Sequence, residues 1–205
     1  MSAAREEILR RVAGAIGGAP EPEPIARAYR RTGSAAPVEL FAERVAEYRA
    51  DVLRVADVRE AVEASFAARS ASRVGVPAGL PAVWRPRGLD VVEDAGFSPR
   101  ELDALDGVLT GCTLAIAETG TIALTAGPSE GRRALTLVPD LHVCVVREEQ
   151  IVELVPEAMD RLGELVRRER RPITLVSGPS ATSDIELSRV EGVHGPRTLV
   201  VVIAS

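Results

Sequence analysis

The chain has 205 residues, 46% of them hydrophobic but only 3% aromatic, and a formal net charge of −5. The acidic balance argues against a nucleic-acid surface, whose affinity comes mainly from neutralised phosphates. All 25 basic residues are arginine, which removes any Schiff-base or lysine-nucleophile mechanism. No apolar run approaches the roughly 20 residues of a membrane span, and the start MSAAREEILRR lacks the apolar stretch of a signal peptide, so no membrane span and a cytoplasmic protein are expected.

Residues Ser2–Ile16 read as an amphipathic helix, with Ile8, Leu9, Val12 and Ile16 at helical spacing. Gly17-Gly18 stops it, and the Pro-rich stretch to Pro37 reads as a linker or extended arm. This divides the chain into an N-terminal helix with its linker, 1–36, and a single domain, 37–205. From Pro37 to about Val55 the stripe Val38, Phe41, Val45, Tyr48 and Val52 predicts a second helix. Both stripes suit either the core or a partner subunit, which leaves a homo-oligomer open. Asp57 and Glu60 mark a capping box and a helix to about Arg69. Short strands follow at Arg73–Pro77 and Leu89–Val92, then a brief helix opened by Ser98-Pro99-Arg100-Glu101.

From Val108 the chain turns strand-rich, with predicted strands at Val108–Ala117, Thr121–Thr125, Ala134–Val138 and Val143–Arg147. A helix over Pro156–Arg170 and strands at Ile173–Val176 and Thr198–Ala204 complete the pattern. Strands alternating with helices at both ends predict an α/β fold with a mostly parallel sheet and an antiparallel insert in the middle.

Three stretches can carry chemistry. In Gly111–Leu124 two apolar segments flank Glu118-Thr119-Gly120-Thr121. The site reading places the Glu118 carboxylate at a strand end with the protein interior on both sides, where it must be hydrogen-bonded, paired or catalytic. The alternative is a polar hairpin tip in which Gly120 supplies positive φ and the threonines bond the turn. In Ile173–Glu186 a buried strand runs into Ser177-Gly178-Pro179-Ser180, and Thr182-Ser183-Asp184 can open a helical turn. Such strand ends present N–H groups and hydroxyls to an anion, or the serines and threonines merely cap. The two histidines, His142 after Pro139-Asp140 and His194 in Gly192–Pro196, sit at strand edges, where a near-neutral pKa serves a base.

Cys112 and Cys144 are the only cysteines, and both lie in apolar runs as expected buried thiols. With no CxxC, the chain lacks the ligands for an iron–sulfur cluster of its own and for a Cys-rich structural zinc site. Glu118, Asp140, His142 and His194 are too scattered to define a metal site.

Four blocks in order, AETGTIAL at 117–124, LVPDLHVCVV at 137–146, SGPSATSDIE at 177–186 and GVHGPRTLVVVI at 192–203, resemble the LUD-domain family over about residues 37–205. The resemblance implies a three-layer α/β fold of the NagB/RpiA/CoA-transferase-like type. It implies a part in the oxidation of L-lactate to pyruvate, beside partner subunits that carry the iron–sulfur clusters, with no cofactor held by this chain. Glu118-Thr119-Gly120 is also similar in placement to the Ser-Glu-Asn-Gly turn of CoA transferases, but departs from it at Thr119.

Three readings follow. In the first, the chain binds a small carboxylate, with Glu118, His142 and His194 as catalytic residues and Thr119, Gly120, Thr121, Asp140, Ser177, Gly178, Ser180, Thr182 and Asp184 as ligand-binding ones. Loop N–H groups, or an arginine such as Arg132 or Arg133, hold the carboxylate, and a histidine acts as base toward the 2-hydroxyl. No Gly-rich fingerprint for a flavin or nicotinamide is present, so electrons must leave to a partner. The second reading is a non-catalytic scaffold. The third is a CoA-transferase-like or sugar-phosphate-type enzyme using Glu118. The first reading expects Glu118 and the Ser177–Ser180 loop to share one cavity.

Overall fold

A computed structural model describes residues 3–17, 23–31, 33, 36–179 and 195–205. Its centre is a six-stranded sheet of β1 (Asp51–Val55), β2 (Arg73–Val76), β3 (Asp90–Glu93), β4 (Gly107–Thr110), β7 (Leu141–Arg147) and β10 (Thr198–Ala204), ordered β1-β10-β7-β4-β2-β3. Every pairing in it is parallel. The inner strands are apolar on both faces, as parallel strands covered from both sides must be. In β7, Leu141, Val143 and Val145 face one core while Cys144 and Val146 face another.

The first core is closed by α3 (Val58–Ala67), which lays Val62 and Phe66 on the sheet. Asp57 caps this helix by accepting from Glu60 N at 3.1 Å. The second core is closed by α2 (Pro37–Glu47), through Phe41 and Val45, and by a smaller sheet. That sheet, ordered β8-β5-β6-β9, comprises β5 (Leu114–Ile116), β6 (Thr121–Leu124), β8 (Ile151–Val152) and β9 (Thr174–Val176). Its β5–β6 and β6–β9 pairings are antiparallel, the expected antiparallel insert. The outer face is covered by α5 (Val155–Glu169), which buries Ala158 and Leu162. The α/β class, the mostly parallel sheet and the flanking helices agree with the sequence reading.

Three predicted elements differ. The helix expected from Pro37 to Val55 stops at Glu47; Arg49 turns with φ 63°, and Asp51–Val55 becomes β1 because β10 offers it a full parallel register. The single strand expected over Val108–Ala117 is two strands in two sheets. The break falls at Gly111–Thr113, where Gly111 N donates to Ser129 O at 2.8 Å and the Thr113 hydroxyl is drawn to Thr125 and Glu130. The strand expected at Ala134–Val138 is a 3₁₀ turn, Arg133–Thr136. Its apolar Leu135 fills a core with Leu102, Leu105 and Val108 rather than lying on a sheet.

The brief helix α4 (Pro99–Asp103) carries a full capping box, Ser98 N donating to Glu101 Oε2 at 2.7 Å. The N-terminal helix α1 (Ala3–Ile16) forms as predicted but buries no residue. No helix among the described residues is long and apolar enough to cross a membrane.

Candidate functional site

The β5–β6 connection is the hairpin tip that its Thr-Gly-Thr pattern allows. Gly120 N donates to Ala117 O at 3.2 Å, and Gly120 has φ +57°. A Cβ there would lie 2.8 Å from the backbone of Arg44 in α2, so both conformation and space demand glycine. Thr119 and Thr121 share a hydroxyl bond of 2.7 Å.

The segments on either side of Glu118 are buried, but its own side chain does not lie between them. The tip projects beyond the sheet, so the residue after buried Ala117 leaves the pleat for solvent. Its side chain is 42% exposed and accepts from Arg30 at 3.0 Å. Arg30 belongs to the arm of residues 23–31, which also pairs through Arg31 with Asp160 of α5. Between arm and helix lies an open cleft of about 720 Å³, lined by Arg27, Tyr29, Pro156 and Met159 as well as Glu118.

The hydroxyl chain continues from Thr121 to Ser177 Oγ at 2.7 Å, and there a second, compact cavity of about 80 Å³ opens. Ser177 and Gly178 line it together with Arg133, Thr136, His142 and Pro196. Glu118 is not among its walls. The expected single cavity is thus two: the hydroxyls of Thr119, Thr121 and Ser177 run from one toward the other, but the carboxylate faces the arm and the Ser177 loop faces His142.

His142 is the second residue of β7 and is 1% exposed. Alternation along the strand puts it on the Cys144 side, toward the small sheet. Its Nε2 lies 2.8 Å from Thr110 Oγ1 on neighbouring β4, which fixes the ring. Arg133 stands at the start of the 3₁₀ turn and donates to Thr136 Oγ1 at 3.1 Å. Burial lowers its pKa, yet a guanidinium stays charged. Arg132 next to it is committed elsewhere: Nε and Nη2 grip Asp94 at 2.6 and 2.9 Å. Burial by itself would raise the Asp94 carboxyl, but Arg132 and the N–H groups of Phe97 and Gly96 hold it below its usual value.

Asp140 lies in neither cavity; it is exposed, 3.5 Å from Arg197, and its carbonyl accepts from Thr198 N at 2.9 Å. Ser180, Thr182, Asp184 and His194, with the helical turn expected at Thr182–Asp184, fall outside the described residues. Both cysteines are free and buried, as expected. The neighbouring Cys144 thiol, and burial, push the Cys112 thiol well above its usual pKa. No group of three or more His, Cys, Asp or Glu among the described residues could hold a metal ion.

One buried charge escaped the sequence reading. Glu130 is 2% exposed, and its carboxylate accepts from the N–H groups of Thr125 and Gly127 and from the hydroxyls of Thr113 and Thr125. The readable hint was an acid three residues after Gly127 in a tight turn, a capping-box geometry without a helix. The Thr113 contact comes from the break between β4 and β5 and left no local trace.

The LUD domain matches residues 82–204. Over 98% of its length the chain is 46% identical to lactate utilization protein C of Deinococcus radiodurans, of which 95% is covered. It is 31% identical to lactate utilization protein C of Shouchella clausii over 50% of this chain and 45% of that one. The crystal structure of a DUF162 family protein from Deinococcus radiodurans superposes with a TM-score of 0.72 at 42% identity, covering 89% of this chain and all of that one. The chain belongs to the LUD domain family.

Proposed function

We propose that the protein takes part in lactate utilisation by binding a small 2-hydroxy or 2-oxo carboxylate in the His142 cavity. One observation carries this reading: a cavity of about 80 Å³ brings the Arg133 guanidinium and His142 to the same small space. That is far below the roughly 300–1,000 Å³ of sites for drug-sized ligands and suits a three-carbon acid. The guanidinium pairs with the carboxylate, the Ser177 hydroxyl and the backbone at Gly178 flank it, and His142 accepts the proton of the 2-hydroxyl. Two electrons and a second proton then leave to partner subunits bearing iron–sulfur clusters, so the isolated chain oxidises lactate little or not at all. The relatives' names support the pathway.

Calorimetric titration with L-lactate and pyruvate tests the site. Saturable binding should weaken about tenfold or more in Arg133→Gln, the equivalent of about 1.4 kcal/mol, and stay unchanged in Glu118→Gln. Binding indifferent to Arg133 but lost with Glu118 would place the ligand in the arm cleft instead. Robust lactate turnover by the purified chain would contradict the need for partners.

A second reading, a scaffold that docks partner subunits, is favoured by α1. This helix leaves Ile8, Leu9, Val12 and Ile16 about half exposed or more and buries nothing. In that reading residues 1–36 are the docking element and 37–205 the folded body. Co-purification with partners that is lost on deleting residues 1–36, while Arg133→Gln leaves it intact, would support it.

A further inference from the structure

The six-stranded sheet reverses direction once. From β2 the chain moves outward to the edge strand β3; from β4 it moves inward to β7 and then β10. The adjacent pair β2 and β4 is therefore the topological switch point, and in open α/β sheets ligands bind in the crevice outside the carboxyl ends of such strands. At that place the structure has a cavity of about 540 Å³, formed by the segment leaving β2 at Pro77–Gly79, by Asp94 just after β3 and by the loop 126–132.

The walls are built so that backbone comes close. Gly79 N donates to Pro128 O at 3.1 Å, and a Cβ on Gly79 would collide with the Pro128 backbone at 2.6 Å. Ala126 holds φ +54°, a left-handed conformation that is unfavourable for a residue with a Cβ and is retained only where its surroundings enforce it. Glu130 does so here, because its buried carboxylate clamps the N–H groups on either side of Ala126.

Two guanidinium groups line this space, Arg132 and Arg171. Arg132 is locked by Asp94 and by Phe97 O, and Arg171 Nη1 lies 3.2 Å from where a Gly127 Cβ would be. Asp94 is the one acid in the lining, and its oxygens are taken by Arg132, Gly96 N and Phe97 N. Arg171 in turn pairs with Glu169 at the end of α5. Each guanidinium is thus held by one acid and keeps its remaining N–H donors for a ligand, in a space that is pre-set and too roomy for a three-carbon acid alone.

We propose that this crevice is a second ligand site, separate from the His142 cavity, for a phosphate-bearing organic molecule whose phosphate lies against Arg171 and Arg132. The full-length protein is titrated by calorimetry with inorganic pyrophosphate, ADP and glycerol 3-phosphate at low salt. At least one should bind with Kd below about 1 mM, weaken about tenfold or more in Arg171→Gln, and be unchanged in Arg133→Gln and Arg30→Gln. ADP as the tightest probe would identify a nucleotide; glycerol 3-phosphate as the tightest, a small phosphate ester. Arg171 is half-buried and its pair with Glu169 is a partly exposed one, so its substitution should lower the melting temperature only slightly. No binding of any probe at millimolar concentration, or binding that survives Arg171→Gln or is lost with Arg133→Gln, would overturn the proposal.

Discussion

Glu118 and Glu130 flank the same short strand, β6, and have opposite fates. Glu118 comes before it, at a hairpin tip bracketed in sequence by apolar residues, yet its side chain is 42% exposed and pairs with Arg30 of the arm. Glu130 comes after it, in a glycine-rich polar turn, yet it is 2% exposed and bound by two backbone N–H groups and two hydroxyls. Apolar neighbours in the chain do not bury a carboxylate; converging donors from other segments do. The same contrast separates the cavities, since exposed ion pairs attach the arm beside Glu118 whereas buried strands fix His142.

The largest expected effect is at Glu130. Glu130→Ala strips the partner from two buried N–H groups and should destabilise by about 3–5 kcal/mol in urea unfolding. A loss below about 1 kcal/mol would mean that the turn reorganises and that Glu130 does not shape it. Next comes the Asp94–Arg132 pair. The Asp94 pKa is depressed in the folded state, so its stabilisation is fully present above the unfolded value, about 3.9, and is lost as pH falls through the lower folded value. Asp94→Asn should therefore be destabilised by about 1–3 kcal/mol at neutral pH and show a shallower fall in stability below about pH 4. An unchanged acid profile would contradict the pair's role.

Smallest is Glu118. Glu118→Ala or Arg30→Ala should alter stability by no more than about 1 kcal/mol, and the difference should vanish at 1 M salt, as expected of an exposed pair. A loss comparable with that at Glu130 would erase the contrast. The two thiols offer a further check: a thiol reagent should label neither Cys112 nor Cys144 until the protein unfolds, because both are buried.

Elements with strong local signals were legible in the sequence. Thr198–Ala204 was readable as a buried strand, Ser98–Glu101 as a cap and α5 as a helix, since each is encoded by contiguous residues. Asp51–Val55 was not, because its valines also continue the helical stripe of α2 and only the register with β10 decides. The small sheet was legible as an antiparallel insert, but the break at Gly111–Thr113 was not, being fixed by Ser129 and Glu130 from beyond β6. At the site, Ser177, Gly178 and His142 were identified individually from strand-end chemistry. That they share a cavity with Arg133, and not with Glu118, depends on how β9 lies against the start of β7, which no linear pattern records.

The central claim is that a small carboxylate meets His142. With only two histidines in the chain, ¹⁵N-histidine NMR can watch it directly, using His142→Asn to assign the signals. Titration with pyruvate should move the His142 ring nitrogens in a saturable way, equally in Glu118→Gln and only weakly in Arg133→Gln. Ring signals of His142 that stay fixed while pyruvate binds would contradict the account.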